Sequence, residues 1–128
     1  MNLYIHQCIL SIKLPASKVR RVCLLALSDK SIILACLGLT ASALAVSSGP
    51  ILRYIIFKWL NRKLASGRDL IEIPYNSIIE LNPEVKYGVE ILRINTFSGV
   101  YEVTALGRYA KFGMSRLLSE IKARAGRI

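Results

Sequence analysis

The amino-acid sequence predicts a mainly β fold with helices, α+β in class: a β-barrel or two-sheet sandwich closed by a C-terminal helix and interrupted by a helical insertion. Three observations predict it. Short alternating apolar runs separated by turn residues fill 70–106. Met114, Leu117, Leu118, Ile121 and Ala125 fall on one helical stripe. Ser31–Leu52 contains no charged residue and runs straight into the basic segment "RYIIFKWLNRKLASGR".

The elements follow in order. "NLYIHQCILSIKL" is rich in β-branched and aromatic residues and predicts a strand ending before Pro15. "RRVCLLALS" predicts a second strand, with Asp29–Lys30 as a tight turn. "SIILACL" fits either a third strand or the start of a helix, which periodicity alone does not separate in so short an apolar run. Thr40–Ser48 and Ile51–Ala65 read as two helices broken at Gly49–Pro50. In the second, Tyr54, Lys58, Asn61 and Arg62 share one sector, and Leu52, Ile55, Ile56, Trp59 and Leu60 lie largely opposite. After the loop Ser66–Asp69 come two apolar pieces around Pro74, with a turn expected at Asn82–Pro83. "VEILRINT" and "VYEVTAL" form a hairpin through "FSG", and Gly88 permits the turn before it. Ser115 is the expected N-cap of the terminal helix, and Lys122 and Arg124 suit its C-terminal end.

The uncharged stretch poses the main functional choice. As a helix, its 22 residues would reach about 33 Å, enough to cross a bilayer. A single span would put opposite flanks on opposite sides, yet both flanks are basic, against the asymmetry of the positive-inside rule. It would also split the strands of the β domain. A hydrophobic-to-basic helical insertion over 40–66 keeps both flanks together. Within it Ala41, Ala45 and Gly49 recur at fourfold spacing, a pattern that allows close helix packing within the chain or against a second copy.

Composition narrows the function. The chain has 128 residues and a net charge of +10, which favours anionic partners. Arg53, Lys58, Trp59, Arg62 and Lys63 are the expected lipid- or anion-binding residues, with Tyr54 and Phe57 seated beside them at the interface; the competing reading makes Trp59 ordinary core. No nucleotide, nucleophile-elbow or metal signature occurs, so an enzyme, a cofactor and a metal site are not expected. Cys8, Cys23 and Cys36 stand among apolar neighbours and read as buried reduced thiols, which suits the cytosol. The N-terminus lacks the early basic region of a secretory signal. Nucleic acid is disfavoured, because no aromatic stacking strand accompanies the charge.

Several segments together resemble a prokaryotic pleckstrin-homology (PH) or GRAM-like domain. "CLLALSDKSIILA" is similar to that family's strand–turn–strand, with Ser28, Asp29 and Lys30 at its Thr, Asn/Asp and Lys positions and Ser31 where it has Arg. "IEIPYNSIIEL" and "LRINTFSGVYEV" resemble a later strand and hairpin, and several members carry a small-residue insertion where Thr40–Gly49 falls. The resemblance covers residues 20–124. It implies a PH-like barrel or sandwich with an inserted helical hairpin and a capping helix, used without catalysis to bind lipid headgroups or proteins. The expectation is therefore a single-domain binding module on the cytoplasmic side of an anionic membrane surface, alone, as a homo-oligomer or with a protein partner. The alternatives are a single-span membrane protein with a small cytosolic β domain, and a basic nucleic-acid-binding protein.

Overall fold

The computed structural model describes residues 4–15, 19–38, 41–42, 49–105 and 114–126. Seven antiparallel strands form one sheet in the order β4-β3-β2-β1-β7-β6-β5. They are β1 (Tyr4–Lys13), β2 (Arg20–Leu27), β3 (Ser31–Cys36), β4 (Ile71–Pro74), β5 (Ile78–Lys86), β6 (Val89–Thr96) and β7 (Gly99–Ala105). Helix α1 (Pro50–Ser66) is inserted between β3 and β4, and α2 (Met114–Ala125) ends the described chain.

Strands β2 and β3 explain why their sequences do not alternate. Every residue from Val22 to Leu27 and from Ser31 to Cys36 is buried. On one face Cys23, Leu25, Leu27, Ile32, Leu34 and Cys36 join a core with Ile73, Leu92, Ile94, Val103 and the α2 residues Leu117 and Ile121. On the other, Val22, Leu24, Ala26, Ile33, Ala35 and Leu37 pack with Leu60 and Leu64 of α1. A strand covered on both faces reads as a continuous apolar run. That settles "SIILACL" as strand, and it removes the single-span reading of Ser31–Leu52, since its first six residues belong to the sheet. Among the described residues no helix is long and apolar enough to cross a membrane.

The insertion leaves the sheet and returns to it. Ser42 Oγ accepts from the Val22 amide (3.0 Å) and donates to the Leu37 carbonyl (3.3 Å), fastening the exit. On return, β4 pairs with β3 from Leu34↔Ile71 to Ser31↔Pro74. Most of Thr40–Ser48, the expected first helix of the hairpin, lies outside the described residues.

Turns fix the remaining register. Tyr87 and Gly88 both have positive φ (53° and 75°) and join Lys86 to its partner Val89, as a two-residue hairpin requires. Gly99 opens β7 at φ 134°, where an added Cβ would sit 2.7 Å from Pro15 Cβ. The Tyr75 hydroxyl donates to the Ser28 carbonyl (2.7 Å), tying the bend after β4 to the β2–β3 turn. Burial, with a smaller push from Asp29, raises its pKa to about 12 against the opposing field of Arg124.

Three local expectations need correction. Strand β5 runs through Asn82–Pro83 without turning. It is the last strand of the sheet, where a residue lacking an N–H is tolerated. Ser115 lies inside α2, which already includes Met114. Cys23 and Cys36, opposed across β2 and β3, form a disulfide instead of two free thiols.

Candidate functional site

Helix α1 begins where Pro50 meets N-cap Gly49, and Pro is suited to a first helical position because its missing N–H would have no partner there. It ends at Gly67, whose left-handed φ of 70° lets its N–H reach the Leu64 carbonyl. Its 17 residues include four cations and no Asp or Glu.

The helix divides into three stripes. Leu60 and Leu64, with half-buried Ile56 and Phe57, seat it on the sheet. Leu52, Ile55 and Trp59, spaced at i, i+3 and i+7, form an exposed apolar ridge, with Ile51 and Tyr54 also exposed. Lys58 and Arg62 flank that ridge in the solvent. The apolar sector expected from the sequence is thus split between Ile56 and Leu60, which are seat, and Leu52, Ile55 and Trp59, which are not. Trp59 is 49% exposed, so it is not core. Phe57, expected at the interface, belongs to the seat.

The expected site residues are only partly gathered. Lys58 Nζ lies 5.0 Å from the Tyr54 ring centroid, and Lys63 Nζ 5.7 Å from that of Trp59. Lys63 also donates to the Cys36 carbonyl at 2.8 Å, so it anchors the end of α1 to β3 as well as contributing charge. Trp59, Arg62, Lys63 and Ser66 line one surface hollow of about 520 Å³. Arg68 and Asp69 complete it, and the sequence alone places these two only in a loop. The Arg53 side chain and Ala45 lie outside the described residues. Ala41 is exposed, and Gly49 has no atom within 4 Å of where a Cβ would stand.

Ion pairs among the described residues gather at Arg20, Arg93 and Arg124. Arg20 and Arg93 share Glu102 at 3.7 and 3.9 Å; Arg93 also pairs with Glu84, and Arg124 with Glu120. Among the described residues, no ion pair involves Lys58, Arg62, Lys63 or Arg68. No group of three His, Cys, Asp or Glu suited to a metal ion occurs among them either.

No protein-family model, curated protein or solved structure matches the chain.

Proposed function

We propose that this chain is a non-catalytic, PH-like binding module that associates with anionic membrane surfaces through α1. The strand order β4-β3-β2-β1-β7-β6-β5, with a terminal helix packed on one core, supports the PH-like reading. One observation carries the functional reading: the outward side of α1 exposes an apolar ridge of Leu52, Ile55 and Trp59 beside cations that make no ion pair among the described residues. Such a surface can insert its apolar ridge at the headgroup boundary while its cations meet lipid phosphates.

Nucleic acid would use the cations and leave the apolar ridge in water, so the bilayer fits the whole surface better. The Cys23–Cys36 disulfide removes the thiol argument for a cytosolic location.

Co-sedimentation with vesicles tests the reading. Binding should require anionic lipid and weaken with salt. Replacing Lys58, Arg62 and Arg68 with Gln should weaken it roughly a hundredfold, from about 1 kcal/mol per cation near the surface. Equal binding to zwitterionic vesicles would remove the electrostatic part of the proposal. Tight RNA or DNA binding with no vesicle binding would replace it.

A further inference from the structure

The hollow at the C-terminal end of α1 carries more information than a general basic surface. It is lined by Trp59, Arg62, Lys63, Ser66, Arg68 and Asp69. Three cations against one carboxylate leave a local charge of +2. Lys63 is held by the Cys36 carbonyl at 2.8 Å and lies against the Trp59 ring, which narrows where its ammonium can go. Ser66 Oγ donates to the Lys63 carbonyl (2.7 Å) and accepts weakly from the Arg68 amide (3.3 Å), which orders the bend carrying Arg68. The two guanidinium groups supply planar forks suited to phosphate oxygens. Together these features describe a partly built anion site.

We infer that this hollow binds a phosphate monoester. Near neutral pH such a group carries about −1.5 to −2, which matches the local charge, whereas a phosphodiester carries about −1. The inference rests on the reading of α1 as the membrane-facing element. The apolar ridge Leu52–Ile55–Trp59 reaches the rim of the hollow at Trp59. A lipid whose terminal phosphate entered the hollow could therefore lay its acyl region along the ridge. A soluble phosphate monoester would use the hollow alone.

The test compares phosphatidylcholine vesicles containing phosphatidic acid with others containing phosphatidylglycerol, the fractions adjusted to equal surface potential. The parent protein should bind the phosphatidic acid vesicles at least about fivefold more tightly, a difference of about 1 kcal/mol. Arg62→Gln with Arg68→Gln should abolish that preference. Lys58→Gln, outside the hollow, should weaken both bindings equally and keep the preference. Thermal melts confirm that each variant is folded. Trp59 is the chain's single Trp, so its fluorescence also reports inorganic phosphate titrated without vesicles.

A phosphate response lost in the double variant, without vesicle binding, would support the anion site, assign its ligand to solution and sink the membrane reading. Equal binding to the two vesicle types with no phosphate response would overturn the hollow and leave the membrane reading standing. A preference that survives the double variant would also overturn it.

Discussion

Leu60→Ala separates the seat of α1 from its outward ridge. Leu60 is fully buried, at 0% exposure, in a cluster with Val22, Leu24, Ala26, Ile33, Ala35 and Leu37. Truncating a buried Leu costs about 2–5 kcal/mol, the upper values belonging to sites that cannot collapse. Here one wall of the site is a single helix held chiefly by the buried side chains of Leu60 and Leu64, so partial collapse is available and about 3 kcal/mol is expected. For a domain of this size that corresponds to a fall in Tm of roughly 10 °C. Trp59→Ala, at a half-exposed position, should cost less than about 1 kcal/mol despite removing a larger side chain. The vesicle assay should reverse the order: Trp59→Ala weakens binding by roughly tenfold, from the loss of a large interfacial aromatic, while folded Leu60→Ala binds like the parent. Paired melts and vesicle titrations on the two variants read both effects. Equal destabilisation would mean that Trp59 is core and that the ridge does not face outward. No destabilisation in Leu60→Ala would mean that α1 is not seated on β2 and β3.

Three further outcomes follow from particular contacts. Tyr75→Phe removes the hydroxyl donor to the Ser28 carbonyl and should cost about 1–2 kcal/mol at neutral pH. Because burial holds the folded pKa near 12, above the ordinary 10, Tyr75 stabilises the fold fully below pH 10; that contribution falls as pH rises toward 12. The variant should lose less stability over that alkaline range in denaturant titrations, with Tyr101, also raised by burial, leaving a residual slope. Reducing the Cys23–Cys36 bond, which joins residues 13 positions apart, should lower stability by about 2–4 kcal/mol; melts with and without reductant measure it, and alkylation under non-reducing conditions should label neither cysteine. Gly99→Ala should destabilise by about 2 kcal/mol or more, because φ 134° is strained for Ala and its Cβ would meet Pro15 at 2.7 Å; chemical denaturation gives the value.

Legibility in the sequence depended on whether a residue's surroundings were local. The β6–β7 hairpin was readable because Phe97, Ser98 and Gly99 carry their own turn chemistry. The stripe of α2 was readable for the same reason, and Leu117 and Ile121 are its fully buried members, with Leu118 and Ala125 packed at the edge. The pairing of Cys23 with Cys36 follows from the register that a turn at Asp29–Lys30 imposes, and it was missed because "SIILACL" fits a helix as well as the strand that brings Cys36 opposite Cys23. Pro83 misled because the turn preference of Asn–Pro is local, whereas permission to continue comes from being on the last strand of the sheet. The basic helix was visible, but its outward ridge was not. Leu52, Ile55, Ile56, Trp59 and Leu60 form one apolar sector on paper, and only the position of the sheet decides which of them it covers.

Charge segregation along the chain bears on what α1 is for. Residues 1–68 contain ten Lys or Arg and a single acidic residue, Asp29; residues 69–128 contain eight Lys or Arg and seven acidic residues. The second half is nearly balanced, and the ion-paired cations Arg93 and Arg124 find Glu84, Glu102 and Glu120 within it. Even Arg20, from the first half, crosses to Glu102 for its partner. A helix needed only to cover the outer face of β2 and β3 would do so with Ile56, Phe57, Leu60 and Leu64, and its other positions could alternate signs for solubility. Instead α1 carries only cations, although its first turn would favour an acidic residue against the helix dipole. The positive excess and the exposed apolar ridge therefore coincide on one element, and neither is required by the contact that seats it. A partner that is both anionic and apolar within one helix width satisfies the two together. A bilayer surface has that combination, with phosphates and acyl chains a few ångströms apart in depth, whereas a nucleic-acid backbone offers the charge without the apolar layer beneath it.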